Sequence, residues 1–360
     1  MSPFIQATIS YIPKKHHLLG LMVVFVGSLC CLWLNMSLVA WTAGNIIGLS
    51  SLTLAILLGI VLGNTIYPKF ANNLTDGITF AKSQILRLAI MLYGFKLTLT
   101  QVASVGMSAV VADALVLTST FLLTYWIGTT LLKVDKQTTL LIGSGASICG
   151  AAAVIAAEPV IQAEAHKVTI AVATVVVFGT MAMLLYPFIY HLGWLQLWLS
   201  PQDYGVYTGS TIHEVAQVVV AGNAINTEIG DTAVVTKMIR VMMLAPFLLI
   251  LSFALTTSNS EKGQKTTLIS RFKQVKVPWF AFIFIVVVVL HTWLPLSERF
   301  ETTMIRLDDL LLTMAMFALG LTTHLSAVKQ AGMRPLLLGA IMFGWLLLGG
   351  GLINVAVSFI

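Results

Sequence analysis

Apolar runs of about 17–25 residues recur along this chain, the length a helix needs to cross about 30 Å of hydrocarbon. They lie near 18–34, 46–66, 80–99, 108–131, 168–190, 232–255, 278–295, 304–324 and 335–358. The alternation of apolar and polar residues that marks a membrane barrel strand is absent. Of the 360 residues 58% are apolar and only 9% charged, against about a quarter charged in a soluble domain. Too few polar residues remain to cover a water-facing surface, so the bilayer is the solvent for most of the chain. The fold class is an all-α polytopic membrane protein with about nine full spans.

Lys14 and Lys15 followed by the apolar run from Leu18 have the shape of a signal peptide. With so many later spans, the run reads instead as an uncleaved first helix. Cys30, Cys31 and Cys149 form neither a disulfide framework nor a zinc spacing. The net charge of +6 comes from basic residues in short loops between spans. That is the pattern of membrane topology rather than of nucleic-acid binding. The longest polar stretch, 256–277, carries Lys262, Lys265, Arg271, Lys273 and Lys276 and is placed in the cytoplasm. It is too short for a domain, so residues 1–360 are expected to form a single transmembrane domain.

Two further apolar segments, 138–163 and 204–229, are interrupted. The first contains Gly143-Ser144-Gly145-Ala146-Ser147-Ile148-Cys149-Gly150, the second Gly209-Ser210-Thr211-Ile212-His213-Glu214. Each glycine weakens a helix by about 1 kcal/mol relative to alanine, so both segments are expected to be broken or re-entrant. They also match each other: Ser147-Ile148, Ala152, Val154 and Ala157 align with Thr211-Ile212, Ala216, Val218 and Ala221. A second match aligns Leu86, Ala89, Gly94, Leu99, Thr100, Val102 and Gly106 with Leu312, Ala315, Gly320, Leu325, Ser326, Val328 and Gly332. An odd number of crossings separates those stretches, so they point oppositely. This is the inverted repeat of secondary transporters, here with its units circularly rearranged. The symmetry holds if both broken segments are hairpins entering from opposite faces. Lys167 and the Lys/Arg-free loop 191–204 fit that topology, with the N-terminus cytoplasmic and the C-terminus periplasmic.

Irregular backbone at membrane depth is tolerated only inside protein or beside a watery cavity, which makes the breaks the expected solute site. A half-helix N-terminus binds an anion without any cationic side chain. Gly143, Ser144, Gly145, Ser147, Cys149, Gly150, Ser210, Thr211, His213 and Gln217 are the expected contacts, close packing of small residues being the competing explanation. Glu214 and Asp113 are ionisable residues in apolar segments and are expected to couple ions. Lys237 and Arg240 share a helix face and are expected either to balance an anion or Glu214, or to snorkel to the surface. Lys96 and Arg87 read as interfacial anchors, and His291 and His324 as ordinary span-end residues. The string His213-Glu214-Val215-Ala216-Gln217 approaches H-E-x-x-H, but Gln217 replaces the second histidine, so no metal is expected. No nucleotide or nucleophile motif is present, no cofactor is expected, and coupling to H⁺ or Na⁺ is the default.

The run Gly143–Ala153, together with Gly209–Val219, resembles the YeiH family of bacterial membrane proteins, described as sulfate exporters. Lys237, Arg240 and Pro246 stand where that family's basic helix is expected. The resemblance covers nearly the whole chain. It implies membership of the cation–proton antiporter and anion transporter superfamily, with two broken helices crossing near the midplane. It also implies a core moving against a panel formed by 80–131 and 304–358. Panel-type carriers are often dimers, which leaves a homodimer open. The implied solute is sulfate, sulfite or an organosulfonate. The expected function is secondary transport of a small anion across the bacterial inner membrane. A cation–proton antiporter using Glu214 is the alternative, and an intramembrane enzyme or receptor a lesser one.

Overall fold

A computed structural model describes residues 13–41, 50–193, 195–258, 278–323 and 332–359, and every regular element among them is helical. The basic residues of the 256–277 loop, His324, and the repeat positions Leu325, Ser326 and Val328 lie outside the described residues. The helices are α1 (Leu18–Trp41), α2 (Ser51–Thr65), α3 (Ala71–Phe80), α4 (Leu86–Tyr93), α5 (Leu99–Trp126), α6 (Lys136–Ser147), α7 (Ala151–Ile161) and α8 (Ala165–His191). They continue as α9 (Pro201–Thr211), α10 (Val215–Asn223), α11 (Thr227–Met242), α12 (Leu244–Ser258), α13 (Trp279–Trp293), α14 (Glu298–Leu321) and α15 (Met333–Val357). Five described helical stretches are long and apolar enough to cross a membrane: 15–38, 99–131, 165–191, 227–255 and 333–357.

The chain divides into two compact units, 1–101 with 280–325 and 102–279 with 326–360. In the first, α2 and α14 touch backbone to backbone. A Cβ on Gly59 would lie 2.5 Å from the Phe317 carbonyl oxygen, and one on Gly320 would lie 2.4 Å from that of Ile56. Glycine permits this approach, the usual way helices pack where lipid removes any hydrophobic drive. A π-helical turn, Ala81–Ile85, joins α3 to α4. Lys82 reaches Thr322 at 3.4 Å, and Lys96 reaches Asp308 at 2.9 Å. The early end of α3–α4 therefore meets the late end of α14, and the two run antiparallel.

The second unit holds both broken segments, and each is a hairpin. In the first hairpin Asp135 caps α6 by accepting the Thr138 N–H at 3.1 Å. The helix runs to Ser147, the break occupies 148–150, and α7 returns to Ile161. Gln137 at the start of α6 donates to the Gln162 carbonyl just beyond α7 at 3.1 Å, which closes the base. In the second hairpin Ser200 and Asp203 form a capping box at the start of α9, with Pro201 in the first turn. The break occupies 212–214 and α10 ends at Asn223. Gly205 of α9 and Gly222 of α10 both pack against the Ile229 region of α11, so this base is closed too.

Helix α8 fixes the directions of the two hairpins. Its start holds the first base, with Lys167 within 3.5 Å of Asp135 and 2.9 Å of Gln137. Its end holds the second base, where the Tyr190 and Tyr204 rings lie 4.9 Å apart. The 27 residues of α8 extend about 40 Å, so the hairpins enter from opposite ends. Their tips meet between: a Cβ on Gly150 would lie 2.4 Å from Cγ of Glu214. Both breaks are thus tip-to-tip hairpins, the re-entrant form of the two broken segments. The physical reason is the short arm. Twelve residues of α6 reach about 18 Å, little more than half of the hydrocarbon core.

Helices α5 and α15 group with the hairpins, not with a panel as the resemblance implies for 80–131 and 304–358. Helix α5 is kinked at Gly106 (φ +65°) and α15 follows Gly332 (φ +79°), both with positive φ and paired at the end of the sequence match. Only glycine takes this conformation without a Cβ clash, and it redirects the chain beside the point where it changes unit.

Candidate functional site

At the two tips the chain turns through Ile148-Cys149-Gly150 and Ile212-His213-Glu214, which are equivalent positions of the repeat. A break in a helix exposes carbonyls on one side and N–H groups on the other. The carbonyl side is neutralised by cations. Lys237 Nζ donates to the Ile148 carbonyl at 2.9 Å and to the Ile212 carbonyl at 2.5 Å. One ammonium thus joins the same carbonyl of both tips. Arg240 adds Nε to the Ser147 carbonyl at 2.6 Å and Nη2 to the Ala146 carbonyl at 3.2 Å. Both side chains have no exposed surface, so neither snorkels. They complete two helix C-termini, where cations belong.

The N–H side is met by Glu214. Its Oε1 accepts the Ala151 N–H, the first of α7, at 3.3 Å. The same carboxylate accepts the Gln217 N–H in a capping box at the start of α10, and Gln217 Oε1 returns the bond to the Glu214 N–H at 3.1 Å. Gly150, in the repeat position of Glu214, has φ +65° and no Cβ, which leaves room for the carboxylate.

The expected contacts separate on this geometry. Helix α6 continues through Gly143 and Gly145 to Ser147, so their amides belong to a helix rather than to an oxyanion grip. Gly143 packs on Phe121, and Gly145 on Val154 and Val175. The Gly150 N–H is used by the Gly145 carbonyl at 2.9 Å. Ser144 and Ser147 donate to the Leu140 and Gly143 carbonyls, and Ser210 and Thr211 to the Tyr207 carbonyl. Cys149, His213 and Gln217 are buried at the tips.

Asp113 is fully buried, with Arg240 and Lys237 the charged groups nearest it. Among the described residues its two carboxylate oxygens, Arg240 Nη1, His213 Nδ1 and Gln217 Nε2 have no hydrogen-bond partner. The structure therefore brings Gly150, His213, Glu214, Gln217, Lys237, Arg240 and Asp113 to one region.

Sequence reading missed the aromatic support of the second tip. The Tyr186 hydroxyl donates to Thr211 at 2.8 Å, the Tyr204 hydroxyl to the Tyr186 carbonyl at 2.7 Å, and Asn354 Nδ2 to Ser210 at 3.0 Å. It also missed Asp308, a carboxylate with no exposed surface on α14. Its place inside an apolar run was a legible signal. Lys96 is its partner, not an interfacial anchor, because the buried carboxylate needs a countercharge. His291 accepts or donates to the Leu97 carbonyl at 2.8 Å and lies 3.6 Å from Glu301, more engaged than a span-end histidine.

Residues 20–339 match the family model described as conserved hypothetical protein 698. The UPF0324 inner membrane protein YeiH of Escherichia coli K12 is 52% identical over 312 residues, covering 86% of this chain and 87% of that protein. A UPF0324 membrane protein of Pasteurella multocida is 49% identical over 345 residues, covering 96% and 99%. The chain belongs to the UPF0324, or YeiH, family. Another member, from Yersinia pestis, is 49% identical over 344 residues, covering 94% and 92%. No solved structure matches the chain. The family places this protein in the inner membrane as a multi-pass helical protein, in agreement with its apolar helices.

Proposed function

We propose that this YeiH-family protein is a secondary carrier of a small anion, working by alternating access, rather than an enzyme. The carrying observation is that two hairpins entering from opposite ends of α8 meet tip to tip, and two helix N-termini converge there on one carboxylate. Irregular backbone at that depth is a feature of solute sites. Helix starts favour negative charge, and Lys237 and Arg240 raise the local potential further. The repeat supports the reading. Lys82 with Thr322 and Lys96 with Asp308 are contacts that exchange under the repeat, as an inverted pair requires. The nine-span topology with a cytoplasmic N-terminus and periplasmic C-terminus, and a homodimer as assembly, belong to this proposal. Sulfate, sulfite and organosulfonates are the solute class to test first.

The test is counterflow of those anions in proteoliposomes containing the full chain, with and without H⁺ and Na⁺ gradients. Anion flux driven by one of the two gradients is the expected result. A second reading, a cation–proton antiporter, is favoured by Glu214 already holding the helix N-termini and by the buried Asp113. Sodium- or proton-driven cation exchange with no anion flux replaces the first reading by the second.

A further inference from the structure

We propose that Glu214 is a tethered substitute for the transported anion: its carboxylate occupies the solute's place on the paired helix starts, and solute binding displaces it with uptake of a proton. The inference rests on the anion-carrier reading and adds to it the origin of coupling.

Each helix start carries about +0.5 elementary charge, so two together match about one unit of negative charge. Glu214 supplies that one charge through its contacts to the Ala151 and Gln217 N–H groups. On the other side of the tips the matching negative ends are met by Lys237 and Arg240. The tips are balanced with one anion present. A second anion held at the same depth is costly, so solute and ionised carboxylate compete.

Asymmetry of the repeat supports this. The isoleucine carbonyl of each tip takes a bond from Lys237, but Gly150 (φ +65°) stands opposite Glu214 (φ −112°). Two carboxylates would overfill the helix starts, and a Cβ at 150 would strike the one present. The place also contains more than helix starts. Gln217 Nε2 and His213 Nδ1, on side chains 0% and 2% exposed, have no hydrogen-bond partner among the described residues. Gln217 Nε2 is the second nitrogen of the carboxamide whose oxygen takes the Glu214 N–H, so an open donor stands beside the same helix start. An oxyanion has more acceptor positions than a carboxylate and can use it.

The groups around Glu214 limit what can exchange a proton. Cys149 of the first hairpin and Lys237 of α11 interact electrostatically with Glu214, and Lys237 in turn interacts with Arg240 of its own helix and with Asp113 of α5. The second hairpin's own His213 is adjacent. Helix α8 presents Tyr186, held by Thr211, and α15 has no ionisable group beyond Arg334. Glu214 is the group whose hydrogen bonds the incoming anion takes over. On displacement it loses the N–H partners that favoured its charged form and binds a proton, one per anion.

The experiment measures binding of formate and sulfate to the full-length protein in detergent, near pH 7.5 and near pH 5, by calorimetry and thermal shift. Wild type, Glu214→Gln and Glu214→Ala are compared. At the higher pH both variants are expected to bind at least about tenfold more tightly than wild type, with the gap closing at the lower pH. Calorimetry of the wild type in buffers of different ionisation enthalpy is expected to show about one proton taken up per anion bound. That readout needs no variant to fold. Equal affinity and pH profile in all three proteins, or no proton uptake by the wild type, overturns the tethered-anion proposal and leaves the anion carrier standing. If no protein binds either anion while Na⁺ stabilises the wild type and not Glu214→Gln, both fall.

Discussion

Two lysines of this protein are held in opposite ways. Lys237, in the second unit, is bonded to backbone carbonyls of both hairpin tips. Lys96, in the first, lies 2.9 Å from the Asp308 carboxylate and 2.7 Å from that of Asp309, with the Tyr93 ring centroid 4.7 Å away. The first unit keeps its helices close-packed through glycine, so a buried cation there needs a buried carboxylate. The second unit breaks two helices, and the exposed carbonyls themselves serve as the counterion. A broken helix therefore allows a buried cation to be held by main-chain carbonyls rather than by a carboxylate.

The comparison can be broken most directly at Lys237. Lys237→Met removes one donor from two carbonyls, each bond to a charged group being worth about 1.5–3 kcal/mol. We expect a fall in detergent melting temperature of roughly 10 °C, with no second side-chain change that restores it, because the partners are main chain. Lys96→Met is expected to cost about 3 kcal/mol by leaving Asp308 uncompensated. Lys96→Met with Asp308→Leu is expected to recover most of it. A double-mutant cycle measures this, and a double variant no better than the single shows that Lys96 is not held by Asp308.

A smaller effect sharpens the account of the tips. Gly150→Ala and Gly106→Ala share the cost of a left-handed non-glycine residue, about 1–2 kcal/mol. Only position 150 has Glu214 within 4 Å, whereas nothing lies that near Gly106. Gly150→Ala is therefore expected to destabilise more and to alter anion binding, while Gly106→Ala leaves binding unchanged. Equal effects in melting and binding assays remove the claim that Gly150 makes room for the carboxylate.

The least effect is expected at the first hairpin's base. Burial raises the pKa of the Asp135 carboxyl, but hydrogen bonds from Thr138 and the charge of Lys167 outweigh it and hold it below the usual range. A depressed carboxylate contributes stability above its unfolded pKa of about 3.9, and loses it as pH falls through the folded value. Asp135→Ala also removes a helix cap, so we expect a loss of about 1 kcal/mol at neutral pH. The difference from wild type should narrow below about pH 4 in acid melts. A pH-independent difference assigns the effect to shape alone.

Much of the fold is legible in local pattern. Every apolar run has a helix on it, and both breaks fall within the glycine-rich strings. The position of each break was less legible. Gly143, Gly145 and Gly209 suggest disruption earlier than it occurs, because glycine serves packing as well as turning. Here those residues sit inside helices against Phe121, Val154 and the Ala233 carbonyl. Lys237 and Arg240 are visible in the sequence as two cations on one helix face, with burial and snorkelling both open, and their partners are not.

The helical, apolar character of the segments and the two glycine-rich interruptions were determined by the sequence itself, because each depends on neighbours within a turn or two of backbone. Only the tertiary structure decided that Lys237 joins two tips, that Glu214 fills the helix starts opposite Gly150, and that Asp308 is held by Lys96. Those partners lie 25 to 212 residues apart along the chain. Burial makes such pairings obligatory, but which groups meet is set by how α8, α11 and α14 bring distant segments together.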